Sequence, residues 1–72
     1  IMLELGEEEI RVLEIIGKRK VMRRDELLKE LGKDAEIIAR KLSSLGYLNI
    51  VDLIGSRTYV ITKKGSEFLN SR

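Results

Sequence analysis

The order of signals from Ala35 to Leu69 most limits what this chain can fold into. Ala35, Ile38, Ala39, Leu42 and Leu45 recur at spacings of three and four, which places them on one side of a helix over 35–45. Asp34 is its expected cap and Gly46 its stop. Two short strands follow, joined at Ile54-Gly55-Ser56-Arg57. A two-residue Gly55-Ser56 turn suits a primed hairpin, because glycine accepts positive φ. That turn pairs Leu53 with Thr58, Asp52 with Tyr59, Val51 with Val60 and Ile50 with Ile61. Thr62 then caps a last helix, docked by Phe68 and Leu69, and Gly65 in its first turn predicts close approach to another backbone.

Two shorter helices precede this unit. Glu7, Glu8 and Glu9 put three acids where the first-turn N–H groups favour negative charge, with Gly6 as cap. The helix carries Ile10, Val12, Leu13, Ile15 and Ile16 and is expected to stop near Gly17-Lys18. Those five side chains cover well over half the circumference, so two faces need cover. Val21-Met22 has the makings of a short strand. A second helix from about Arg24 to Leu31 buries Leu27, Leu28 and Leu31 and ends at Gly32. Arg23 stands where a Ser, Thr or Asp cap is expected. The expected core is Leu13, Ile16, Leu27, Leu31, Ala39, Leu42, Leu48, Val60 and Phe68.

Seventy-two residues make one domain, near the lower limit for a core without a staple. Cysteine and histidine are both absent, which removes disulfides, thiolate metal sites and the usual general base near neutral pH. No apolar run approaches the ~20 residues of a membrane span. The expectation is a soluble cytoplasmic domain without metal or cofactor. Charged residues reach 36%, rich in Lys, Arg and Glu, which fits a heat-adapted microbe. Net charge is +2 and unevenly spread: residues 1–34 carry eight basic and nine acidic side chains, residues 35–72 six and three. Lys18, Arg19, Lys20, Arg23 and Arg24 form the densest basic cluster.

The segments Glu26-Leu27-Leu28, Leu31-Gly32, Leu42-Ser43-Ser44-Leu45-Gly46-Tyr47-Leu48 and Tyr59-Val60-Ile61-Thr62-Lys63-Lys64-Gly65 carry a resemblance. Over residues 7–70 the chain resembles the winged helix-turn-helix domains of archaeal and bacterial transcription regulators. The resemblance implies an α+β fold: a three-helix core, a two-stranded β-hairpin wing and a short C-terminal helix. It also implies binding to double-stranded DNA, with helix 35–45 in the major groove. Carried onto this sequence, the outward helix face presents Ile37, Arg40 and Ser44, flanked by Glu36, Lys41 and Ser43. Arg40 and Lys41 suit guanine edges or phosphates, and the serines suit phosphate oxygens. Arg57 is the wing contact, and Arg23 and Arg24 face phosphate from the start of the second helix. Ile37 fits a thymine methyl group, and it fits equally a protein-docking module of a larger protein.

An enzyme reading has no chemistry behind it. The acids sit at helix starts or exposed turns, and no nucleophile–base pair is available. Ser43, Ser44 and Lys41 are near one another, but a helix surface does not desolvate a lysine enough to make it a base. The glycines form no phosphate loop, and no small-molecule effector is evident. Self-association is expected, as a two-fold homodimer of the first and last helices with the N-terminal segment. Its candidate contacts are Leu3, Leu5, Ile15 and Phe68, since Met2, Leu3, Leu5 and Ile15 exceed what one small core absorbs. The alternative is that the N-terminal residues fold back over their own first helix. Ile1 ahead of Met2 suggests a segment of a longer protein, or an added first residue.

Overall fold

In a computed structural model, which describes residues 5–53 and 55–72, the chain forms four helices and one three-stranded antiparallel sheet. The order is α1 (Glu7–Arg19), β1 (Val21–Arg23), α2 (Arg24–Leu31), α3 (Asp34–Ser44), β2 (Leu48–Leu53), β3 (Ser56–Ile61) and α4 (Lys63–Asn70). Met2 and Leu3, expected at a dimer contact, and Ile54, expected at the turn, lie outside the described residues.

Both α1 and α2 start on the same device. Glu9 Oε1 accepts from the Gly6 N–H at 2.8 Å, and Glu26 Oε1 accepts from the Arg23 N–H at 2.9 Å. A glutamate in the first turn thus satisfies the backbone donor just before the helix, although Arg23 supplies no side-chain cap to the first-turn N–H groups of α2. The start of α3 differs from expectation. Asp34 is its first residue rather than its cap, and Lys33 before it already has helical backbone angles. The Ala35 and Glu36 N–H groups donate to the Gly32 and Lys33 carbonyls, each at 3.2 Å, so a tight backbone turn replaces a side-chain cap. Gly32, at φ +87°, lets α2 hand over to that turn.

The far end of α3 is a Schellman closure. Tyr47 N–H donates to the Leu42 carbonyl at 2.9 Å and Gly46 N–H to the Ser43 carbonyl at 3.0 Å, with Gly46 at φ +90°. The α4 segment then locks on. Thr62 Oγ1 accepts from the Gly65 N–H at 3.0 Å, capping α4, and donates to the Gly46 carbonyl at 2.7 Å. Lys64 Nζ donates to the Leu45 carbonyl at 2.7 Å and lies 4.7 Å from the centre of the Tyr47 ring. Gly65 packs on the Tyr47 carbonyl so closely that a Cβ has no room. Each of Thr62, Lys64 and Gly65 therefore fixes the C-terminal end of α3.

β3 is the central strand, between β1 and β2. Val21–Arg23 does form a strand, with Met22 opposite Tyr59. The hairpin register is two residues away from the one expected: Leu53 pairs with Ser56, Val51 with Thr58, Ile50 with Tyr59 and Leu48 with Ile61. The turn places Gly55, at φ +75°, immediately before β3 rather than one residue into the loop. A two-residue slip keeps every side chain on its original face, so hydrophobic alternation could not distinguish the two registers.

Leu13, Ile16, Leu27, Ala39, Leu42 and Leu48 are buried as expected, whereas Leu31, Val60 and Phe68 are only half-buried. Met22, Tyr47, Thr58 and Tyr59 are buried beyond expectation. α1 also runs to Arg19, past the expected stop. Gly17 is a packing contact inside the helix: a Cβ there comes within 2.7 Å of Ile61 Cδ1 and 2.8 Å of Leu69 Cδ1. The wide apolar surface of α1 is covered by α3 on one side and by β1, β3 and α4 on others.

Candidate nucleic-acid interface

α3 buries Ala35, Ala39 and Leu42 and leaves the opposite side in solvent. Ile37, Arg40, Lys41 and Ser44 occupy that exposed side, and Ile37 is 69% exposed. At 100° per residue, Glu36 and Ser43 fall on one flank, toward the hairpin, and both are partly buried. Lys41 falls toward the other flank, where α1 lies.

The hairpin flank holds an ion-pair cluster centred on Glu36. Arg24, the first residue of α2, donates from Nε to Glu36 Oε2 at 2.6 Å and from Nη2 to Oε1 at 3.3 Å. Arg57, on β3, reaches the same Oε2 at 3.4 Å, and the Tyr59 hydroxyl lies 3.5 Å from it. Three side chains from two elements thus converge on one carboxylate of a third. The Glu36 side chain is 17% exposed, whereas those of Arg24 and Arg57 are 49% and 36% exposed. The cations form the outer rim and the acid lies beneath them.

The hydrogen bond from Arg24 holds the Glu36 carboxyl below the usual carboxylate range, and the charges of Arg24, Arg40 and Arg57 lower it further against a desolvation cost. The same bond makes Arg24 a still weaker acid. Burial pushes the Tyr59 hydroxyl up, and the nearby Glu36 charge adds to this. An open groove beside the cluster is lined by Arg24, Arg40 and Arg57 together with Asp25, Glu36 and Asp52. Its rim is balanced in charge rather than uniformly basic.

On the α1 flank, Lys41 Nζ pairs with Glu9 Oε2 at 2.5 Å. That bond, followed by the Gly6 N–H, holds the Glu9 carboxyl below its ordinary value. Ser44 donates its hydroxyl to the Arg40 carbonyl at 3.1 Å, within its own helix. Arg23 is exposed at the end of β1. The structure therefore gathers Arg24, Glu36, Arg40 and Arg57 around one groove, sets Ile37 and Ser44 at the centre of the face, and ties Lys41 to α1. Sequence reasoning placed Glu36 on this face but missed its role as the hub. The partner in α2 is 12 residues away and those in β3 are 21 and 23, a separation without a local signature. The Lys41–Glu9 pair spans 32 residues and was equally invisible.

Of the residues expected at a dimer contact, Leu5 is buried in its own chain's core at 3% exposure. Ile15 and Phe68 are half-buried, and Phe68 meets the Tyr47 ring edge-on with centroids 5.3 Å apart. Among the described residues no group of three or more His, Cys, Asp or Glu is placed to hold a metal ion, and no helix is long and apolar enough to cross a membrane.

A three-helix core whose second and third helices meet in a tight turn, followed by a hairpin and a closing helix, has a solved counterpart. A crystal structure of a mutant MarR from E. coli superposes with a TM-score of 0.79 over 94% of this chain, at 19% identity. The fold is a winged helix. The chain spans about half the length of that MarR chain, 54% of which is matched. No protein-family model matches the sequence, and no curated protein matches it. In winged-helix terms α2 and α3 are the helix-turn-helix and β2–β3 is the wing.

Proposed function

We propose that this winged helix binds double-stranded DNA as the DNA-binding part of a transcription regulator, with α3 in the major groove and the wing along the flanking backbone. The observation that carries the reading is the solvent-facing side of α3, with Ile37, Arg40, Lys41 and Ser44 on it, bracketed by Arg24 from α2 and Arg57 from the wing. A duplex fits this arrangement because phosphates line both sides of the groove that admits a helix. Arg40 reaches base edges or a phosphate from the centre, Ile37 suits a thymine methyl group, and Arg23, Arg24 and Arg57 suit phosphates on either side. Lys41 joins them by exchanging Glu9 for phosphate, and Ser43 lies beside the wing flank. The likeness to MarR, a winged-helix regulator, supports the same reading.

The reading extends to a homodimer, in which two copies of α3 meet successive major grooves. α1 and α4 would supply the contact through the half-buried Ile15 and Phe68.

The test is a salt titration of binding to random-sequence duplex. The magnitude of the slope of log K against log salt should report about 0.9 per phosphate contact. Absence of binding to any duplex at low salt overturns the reading and directs attention to Ile37 as a protein contact.

A further inference from the structure

On the duplex-binding reading above, we propose that Glu36 is an affinity-limiting latch: it holds Arg24 and Arg57 away from phosphate and so weakens the sequence-independent part of duplex binding. The geometry assigns the role to this one carboxylate. Arg24 engages both oxygens, with contacts of 2.6 and 3.3 Å, and Arg57 engages one of them at 3.4 Å. Both guanidinium groups lie on the exposed rim of the groove beside α3, where a phosphate would approach them.

A duplex entering that groove meets two cations already engaged by one carboxylate, which offsets one of their two charges and itself repels phosphate. The groove also carries Asp25 and Asp52, so its acids equal its three arginines in number. Taking an arginine for phosphate leaves Glu36 short of a partner in a setting where its side chain is only 17% exposed. Such a cost falls on every sequence alike, so it lowers duplex affinity as a whole and leaves the choice between sequences to the base contacts of α3. The two latched cations differ in hold. Arg24 is bound at two points and Arg57 at one longer contact, so Arg57 is released first and Arg24 sets the strength of the latch.

Glu36→Gln keeps the shape and removes the charge. Binding of the parent chain and the variant to a random-sequence duplex is measured by fluorescence anisotropy across a salt series, with thermal melts confirming that both are folded. The variant should bind random duplex roughly tenfold tighter at low salt, the direction expected from removing a like charge beside phosphate. Its salt slope should steepen by about 0.9 for one released arginine or about 1.8 for two. Adding Arg24→Gln to the variant should abolish most of the gain, and adding Arg57→Gln a smaller part. A purely structural strut would change the melting temperature without steepening the slope. If the parent binds duplex and Glu36→Gln matches it in affinity and slope, or binds more weakly, the latch is overturned while the duplex reading stands. If neither protein binds any duplex at low salt, both fall together.

Discussion

Glu36 on α3 and Arg24 at the start of α2 are joined at two points, Nε to Oε2 at 2.6 Å and Nη2 to Oε1 at 3.3 Å. This pair sets the geometry of the helix-turn-helix face. It fixes the start of α2 against the first turn of α3, and Arg57 adds the wing to the same carboxylate. Lys41 and Glu9 do the corresponding work on the other flank, between α3 and α1. The helix proposed to enter DNA is thus braced on both sides by ion pairs whose cations are the candidate DNA contacts.

Acid should weaken these braces in a defined direction. Glu9 and Glu36 both titrate below the ordinary 4.5 in the folded chain, mainly through Lys41 and Arg24 respectively. A lowered folded pKa contributes stability that is fully present above the unfolded value. It is lost as pH falls through 4.5 toward the folded values. Melting temperatures of the parent should therefore drop more steeply below pH 4.5 than those of a Glu9→Gln, Glu36→Gln double variant. Parallel acid profiles for the two proteins would show that neither pair contributes to folding.

The close approach of Gly65 to the Tyr47 carbonyl makes a second, sharper expectation. Gly65→Ala places a methyl group against backbone, and Ile61 Cγ1 stands within 2.9 Å on another side. Neither neighbour is the free end of a flexible chain. The cost should be about 1–3 kcal/mol, as for other overpacked sites. Chemical denaturation checks it, and a variant as stable as the parent would mean that α4 is not seated on the end of α3 as described.

Much of this was legible in the sequence because it is local. The Thr62 cap and the Gly46 stop each depend on residues a few positions apart, and a glycine in the first turn of α4 signals close packing although its partner, Tyr47, is distant in sequence; the structure has all three. Gly17 misled because a glycine inside a helix reads as a stop, whereas here it admits Ile61 and Leu69. The hairpin register misled for a different reason: shifting the turn by one residue slips the pairing by two, and period-two patterning is blind to that. Burial of Met22 and Tyr59 followed from β1 joining the far side of β3, a pairing between segments nearly forty residues apart. The ion pairs around α3 were beyond reach for the same cause.

Helix α3 also has a direct mutational test. An Arg40→Ala, Lys41→Ala double variant should stay folded, since the Lys41 side chain is 55% exposed and Glu9 keeps its bond from the Gly6 N–H. Its affinity for duplex should fall, and the magnitude of its salt slope should drop by about 0.9 for each phosphate that the variant no longer engages. Unchanged affinity and slope would remove this helix from the interface, leaving the Arg23–Arg24 corner and the wing as the only basic contacts.

The proposed homodimer is the reading on which the structure bears most selectively. Leu5 is packed in its own core, and the broad apolar surface of α1 already lies against α3, α4 and the sheet. What remains for a partner on α1 and α4 is the half-buried set of Ile10, Ile15, Phe68 and Leu69. A two-fold pairing across these helices would present two copies of α3 to major grooves about 34 Å apart and call for a palindromic site. Because self-association follows mass action, sedimentation equilibrium at about 100 µM is the suitable measurement. The mass should approach twice 8.3 kDa. Ile15→Glu should return it to a single chain, because a carboxylate at the centre of a small apolar contact must be desolvated without a partner. A parent chain that stays monomeric across the concentration range would end the dimer reading. It would leave one winged helix on one half-site, with Arg24, Arg40 and Arg57 as its full complement of arginines around the groove.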